Sequence, residues 1–179
     1  MTRYFCFLRA INVGGHTVTM PTLKKLFEAM GFSSVETFIA SGNVIFETSK
    51  RDPRKIEQLI SKNLREALGY DVHSFVRTRD ELAEVEAFTP FAPGKIENAV
   101  AYHIGFGTGP YGDQHKKGIA GLQTATDELR AEGHEIYWAC MTRSSDSKVT
   151  GAAIEKSLGG RTTLRNINTV RRLLAKYPK

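Results

Sequence analysis

The spacing of apolar positions divides the chain into elements. Residues 4–11 carry an apolar run, Tyr4-Phe5-Cys6-Phe7-Leu8 ahead of Ile11, which predicts a strand. Leu23, Leu26, Phe27 and Met30 then fall at i, i+3, i+4 and i+7, the repeat of one helix face. Pro21 suits its first turn and Gly31 its end. Residues 35–40 and 43–48 read as two strands around Ser41-Gly42, a two-residue loop whose glycine is a hairpin signal. Asp52-Pro53 opens a second helix with Ile56, Leu59, Ile60, Leu64 and Leu68 on one face, and Gly69 closes it. Val72 to Val76 predicts a fourth strand. The order β-α-β-β-α-β is that of a ferredoxin-like unit.

The second half repeats this pattern in part. Thr78-x-x-Glu81 is a capping box that opens a connecting helix through Leu82 and Val85, ended before Pro90. Residues 99–106 predict a strand, and a glycine-rich stretch over residues 105–112 leads to a short helix near residues 116–124. Ala131-Glu132-Gly133-His134 matches Ala40-Ser41-Gly42-Asn43 in position, which favours a hairpin there over a helix running through Leu129. Asp146-Ser147 is expected to cap a helix carrying Val149, Ala153, Ile154 and Leu158, stopped by Gly159-Gly160. A last helix carries Ile167, Val170, Leu173 and Leu174. No clear fourth strand shows in this half. The expected fold is therefore α+β: a tandem duplication of ferredoxin-like β-α-β-β-α-β units, the second degenerate and with an extra C-terminal helix. Residues 1–78 form the first unit, 79–97 a connecting helix and linker, and 98–179 the second unit with its basic helix.

Composition adds little until charge is located. An apolar content of 41% and a charged content of 25% over 179 residues are ordinary for a soluble globular protein. No apolar run approaches the ~20 residues of a membrane span. Arg9 follows the short run Tyr4 to Leu8 at once, with no small-residue cleavage site, so this run reads as a core strand and not a signal peptide. Cys6 and Cys140 are the only cysteines, expected as buried free thiols in a reducing, cytoplasmic compartment. The net charge of +6 lies after Gly160, in Arg161, Arg165, Arg171, Arg172, Lys176 and Lys179, with no acid among them. Such a tail fits a solvated helix whose bases complement its own dipole, and equally a surface that attracts a polyanion such as nucleic acid.

Candidate chemistry concentrates in the loop after the first strand. Arg9-Ala10-Ile11-Asn12-Val13-Gly14-Gly15-His16 holds a cation, an amide, two glycines and an imidazole. In this topology the end of the first strand lies beside the start of the third. Arg9, Asn12, Gly14, Gly15 and His16 are therefore expected near Ser41, Gly42 and Asn43, on one polar rim suited to an anion or an amide. The same residues also suit turns that only maintain the fold. A second polar group, Arg165, Asn166, Asn168 and Thr169, sits at the start of the last helix, where it can bind an anion or simply cap. No Walker loop or dinucleotide fingerprint is present. His16, His73, His103, His115 and His134 have no cysteine or acid at metal-ligand spacing, so neither a metal nor a cofactor is expected. Ser145-Asp146-Ser147-Lys148 matches Ser-x-x-Lys without its companion motifs.

Three stretches carry a resemblance. Residues 9–15 resemble the Leu-Arg-Gly-Ile-Asn-Val-Gly-Gly opening of a bacterial family known as domain of unknown function 1697. Thr37-Phe38-Ile39-Ala40-Ser41-Gly42-Asn43-Val44-Ile45-Phe46 is similar to its Thr-Tyr-Ile-Gln-Ser-Gly-Asn-Val-Val-Phe segment. Residues 163–170 resemble its C-terminal Thr-x-Arg-Asn-Trp-Asn-Thr-Val. The departures are Ala10 for Gly, Ala40 for Gln and Ile167 for Trp. The first implies a backbone that needs no glycine-only angle. The second removes a polar group from the rim, and the third an aromatic surface. The resemblance implies a small cytoplasmic bacterial protein of duplicated ferredoxin-like build and no assigned activity.

Three function classes follow. The leading one is a binding protein for an anionic ligand, a nucleotide or RNA segment, at the glycine/asparagine rim; no RNP-type motif marks sequence-specific RNA binding. The second is a small enzyme with His16 as acid/base and Arg9 or Arg165 as an anion clamp. The third is an interaction scaffold that pairs through a sheet edge as a homodimer. None requires a membrane.

Overall fold

β1 (Thr2–Arg9) forms from the first apolar run. In the computed structural model, which describes residues 1–39 and 42–179, it is a central strand of the first of two sheets. The chain divides into two units, Met1–Glu81 and Leu82–Lys179. The first continues with α1 (Met20–Ala29), β2 (Ser33–Thr37), β3 (Asn43–Thr48), α2 (Pro53–Leu68) and β4 (His73–Thr78). The strand order is β2-β3-β1-β4, with β1 antiparallel to β3 and β4. Tyr4, Cys6 and Leu8 share a core with Phe27, Ile60 and Leu64 of the helices. Phe5 and Phe7 point to the other face and are also buried. A strand buried on both faces reads as a continuous apolar run, which is why β1 is so legible.

The second unit contains β5 (Ala101–Gly107), α4 (Asp113–Ala120), β6 (Asp127–Glu132), β7 (Glu135–Cys140), α5 (Gly151–Leu158), β8 (Thr162–Asn166) and α6 (Ile167–Lys176). Its order, β6-β7-β5-β8, repeats that of the first sheet. Gly133-His134 joins β6 to β7, the expected hairpin. The core gathers Ile119, Leu129, Ile136, Trp138, Ile154 and Leu158.

β8 is the strand that the apolar pattern does not show. It pairs with β5 through Ile104↔Arg165 and Gly107↔Thr162. Thr162, Thr163 and Arg165 are buried there although polar. The second unit is thus less degenerate than its sequence suggests. The match runs further. The last residue of β4, Thr78, caps α3 (Arg79–Ala87), its Oγ1 accepting from the Glu81 N–H at 3.3 Å. The last residue of β8, Asn166, caps α6, its Oδ1 accepting from the Asn168 N–H at 2.9 Å. One residue earlier in each strand stands a buried arginine. Arg77 Nη1 donates to the Val76 carbonyl at 2.8 Å, and Arg165 Nη1 to the Leu164 carbonyl at 2.9 Å.

Two departures from the sequence expectation have a local cause. β2 ends at Thr37 instead of Ala40, and Ile39 beyond it leaves the extended range for a left-handed backbone, φ 60°. Asp146-Ser147 does not cap α5. Thr150 does, its Oγ1 accepting from the Ala153 N–H at 3.1 Å, while Ser147 Oγ donates to Asp127 instead. Among the described residues no helix is long and apolar enough to cross a membrane.

Candidate functional site

The candidate rim begins where β1 ends. Ala10 has φ 64°, a left-handed angle, so the position does favour the glycine of the family motif, contrary to the sequence expectation. The turn aims Ile11 into the core, and the chain then loops outward to α1. Three contacts hold this loop. Asn12 Oδ1 accepts from the Val18 N–H at 2.8 Å, and the His16 N–H donates to the Val13 carbonyl at 3.1 Å. Tyr70, from the turn between α2 and β4, donates its hydroxyl to the Ile11 carbonyl at 2.6 Å. The Tyr70 ring also stacks on the His16 imidazole, centroids 4.0 Å apart and planes 19° apart. Gly14 (φ 60°) and Gly15 (φ 83°) cross the exposed part of the loop in left-handed conformations that their lack of a side chain permits.

The second strand of the rim arrives as the topology requires. Phe7 pairs with Asn43, and the Leu8 N–H donates to the Gly42 carbonyl at 2.9 Å. Gly42 is buried at φ 77°, where a Cβ would stand 2.9 Å from Ile11 Cγ2 and 3.1 Å from Leu8 Cβ. Asn43 is buried as well, its Nδ2 donating to the Phe38 carbonyl at 2.9 Å. Ser41 lies outside the described residues. The rim therefore separates into two sets. Gly42, Asn43 and the Asn12 side-chain oxygen are engaged in closing the turns. Gly14, Gly15 and His16 are exposed, and Arg9, paired across the sheet with His73, is half-buried.

The C-terminal group belongs to the second unit and is largely structural. Arg165 is buried, and its Nη1 also donates to Thr163 Oγ1 at 2.7 Å. Asn166 is the α6 cap. Asn168 is exposed and Thr169 half-buried. In the tail, Arg161 pairs with Glu155 and Arg171 with Glu86, each at 3.0 Å.

Two features escape the sequence pattern. The first is a buried carboxylate, Asp127, at 3% exposure. Its Oδ1 accepts from Trp138 Nε1 (2.9 Å), Cys140 Sγ (2.9 Å) and Ser147 Oγ (2.8 Å), and its Oδ2 from Thr124 Oγ1 (2.6 Å) and Thr126 Oγ1 (3.0 Å). Burial alone pushes its pKa up. The hydrogen bonds from Cys140, Thr124, Trp138 and Ser147 outweigh that and hold the carboxyl below the usual range. Burial and the same carboxylate push the Cys140 thiol up to about 11, so both cysteines are buried thiols and Cys140 is an inert one. The second feature is a cavity of ≈ 280 Å³ in the second unit, between the β5–α4 loop (residues 108–111, with His115) and the α5–β8 turn (residues 158–161). Its signal in the sequence is glycine on both sides, which reads only as loop and helix stop.

The profile of the DUF1697 family, described as proteins of unknown function, matches residues 1–137, and the chain belongs to that family. No curated protein matches it. The solved structure of conserved bacterial protein SP0830 from Streptococcus pneumoniae is similar to it, with a TM-score of 0.75 and 22% identity, covering 98% of each chain. That likeness shows the fold.

Proposed function

We propose that this family member is a binding protein for a small anionic ligand, held at the β1–α1 loop by the backbone of Gly14 and Gly15, the His16 imidazole and Arg9. The observation that carries the reading is the His16–Tyr70 stack on a loop pinned by the Tyr70–Ile11 and Asn12–Val18 hydrogen bonds. An exposed glycine loop would ordinarily lose entropy on ordering around a ligand. A pinned one has met most of that cost in folding, so backbone amides and one imidazole edge stand ready. Phosphate is the fitting charge, since amides and cations are its usual partners. A nucleotide fits this better than an RNA strand, because Phe5, Phe7 and Phe75 of the sheet are buried and give bases nothing to stack on.

The test is calorimetric titration of AMP, ATP and a short single-stranded RNA into the full chain at several salt concentrations, with His16→Ala alongside. The reading expects saturable nucleotide binding that weakens with salt and falls severalfold in the variant. No binding of nucleotide at any salt would sink it, and tight RNA binding with weak nucleotide binding would replace the ligand class.

A further inference from the structure

The two units close the same junction differently. In the first, the left-handed cap Gly69 ends α2 and the next residue is Tyr70, whose ring covers His16 and whose hydroxyl ties down the β1–α1 loop. In the second, the left-handed cap Gly159 (φ 63°) ends α5 and the next residue is Gly160. With no side chain there, the space between this turn and the β5–α4 loop remains as the ≈ 280 Å³ cavity. The duplication therefore carries a plugged junction and an open one.

The open junction is built, not loose. The Tyr111 N–H donates to the Gly133 carbonyl at 2.7 Å, and His134 Nδ1 lies 2.7 Å from the Thr108 carbonyl, so the β6–β7 hairpin fixes the loop that forms one wall. Gly109 is pressed onto that hairpin, where a Cβ would stand 2.7 Å from the Gly133 carbonyl. The opposite wall is fixed by the left-handed turn and by Glu155. That carboxylate accepts from Arg161 Nη1 through Oε2 (3.0 Å) and from the Thr162 N–H through Oε1 (3.4 Å).

The lining chooses the ligand. Arg161 spends one Nη1 hydrogen on Glu155 and makes no other hydrogen bond among the described residues, so Nε and Nη2 keep their donors. His115 Nδ1 accepts from the Gly112 N–H at 3.3 Å, which puts the proton of a neutral ring on Nε2 and makes that atom a donor. Thr108 adds a hydroxyl, and no lining residue is acidic. Donors thus come from both walls, which suits a tetrahedral oxyanion better than a planar carboxylate satisfied by one guanidinium fork. The volume is just under the ~300 Å³ where pockets for drug-sized ligands begin. It has room for a phosphate with a short organic body.

We infer that the cavity between the β5–α4 loop and the α5–β8 turn is a binding site for a small phosphomonoester, clamped by Arg161 and His115. This site is independent of the one proposed on the first unit. The test is amide NMR of the full chain titrated with inorganic phosphate, glycerol phosphate and, as the carboxylate arm, acetate. Three variants accompany it: Gly160→Tyr, Gly160→Ala and Arg161→Gln. A Cβ at Gly160 meets nothing within 4 Å, so both glycine variants are expected to fold, and thermal melts check this. The expected result is saturable shifts at residues 108–115 and 159–162 with both phosphates, tighter than with acetate. Gly160→Tyr, which copies the plug of the first unit, should weaken binding at least roughly tenfold, Arg161→Gln by roughly tenfold, and Gly160→Ala by little. Unmoved amides in that stretch would overturn the inference. So would folded Gly160→Tyr protein that binds as the wild type does, or acetate binding as tightly as phosphate. Shifts confined to Gly14, Gly15 and His16 would overturn it while leaving the first-unit reading intact.

Discussion

Single residues on both sheets are set by angle and by hydrogen bonding. Ala10 at φ 64° carries a strain that glycine would relieve, so Ala10→Gly should raise stability by about 1 kcal/mol in denaturant melts. Gly42→Ala should do the reverse. It adds left-handed strain and pushes a methyl onto Ile11 and Leu8, at a cost of at least about 2 kcal/mol. Asp127 gives a pH signature. Its folded pKa is depressed, so its contribution is fully present above the unfolded carboxylate value of about 3.9 and is lost as pH falls from there through the folded value. Asp127→Asn should lose about 3 kcal/mol at neutral pH, because an amide cannot accept from five donors, and should flatten the acid limb below about pH 4. The letters indicate the importance of Gly42, since a glycine between two strand-like runs is a hairpin signal. They could not indicate Asp127, whose donors come from three separate stretches of chain, Thr124 and Thr126, Trp138 and Cys140 of β7, and Ser147.

At the level of elements, legibility follows burial. β1 and α2 are readable from their apolar pattern alone, and β7 through its match to the first half. β8 is not, because its buried residues are Thr162, Thr163 and Arg165, which read as polar until Arg165 and Thr163 are seen to hydrogen-bond each other. The same holds for the β1–α1 loop. Its sequence shows a glycine pair, but the anchor that shapes it, Tyr70, lies over fifty residues away in sequence. Tyr70→Phe keeps the ring over His16 and removes the bond to the Ile11 carbonyl. It should cost about 1 kcal/mol and speed hydrogen exchange at Gly14 and Gly15 more than elsewhere. Equal exchange rates in both proteins would mean that the hydroxyl does not order the loop.

Across the whole molecule, the chain is one plan used twice, down to the buried arginine and the capping residue at the end of each fourth strand. The likeness is stronger in structure than in letters, which match at the hairpin glycines, at the helix-end glycines Gly69 and Gly159 and at Arg77 and Arg165. Divergence has gone into the loops that follow the first strand of each unit, and the two candidate sites lie there. Charge follows the same division. The basic tail, read from sequence as one feature, is partly consumed by Glu86 and Glu155. Its pull on polyanions is accordingly smaller than its six cations imply. The central functional claim concerns the first of these loops, and one spectrum addresses it directly. Amide NMR of the full chain titrated with AMP should move Gly14, Gly15 and His16 together, saturably, and less as salt rises. If those three amides stay in place while the nucleotide is raised to millimolar concentration, the β1–α1 loop is turn chemistry and not a ligand site.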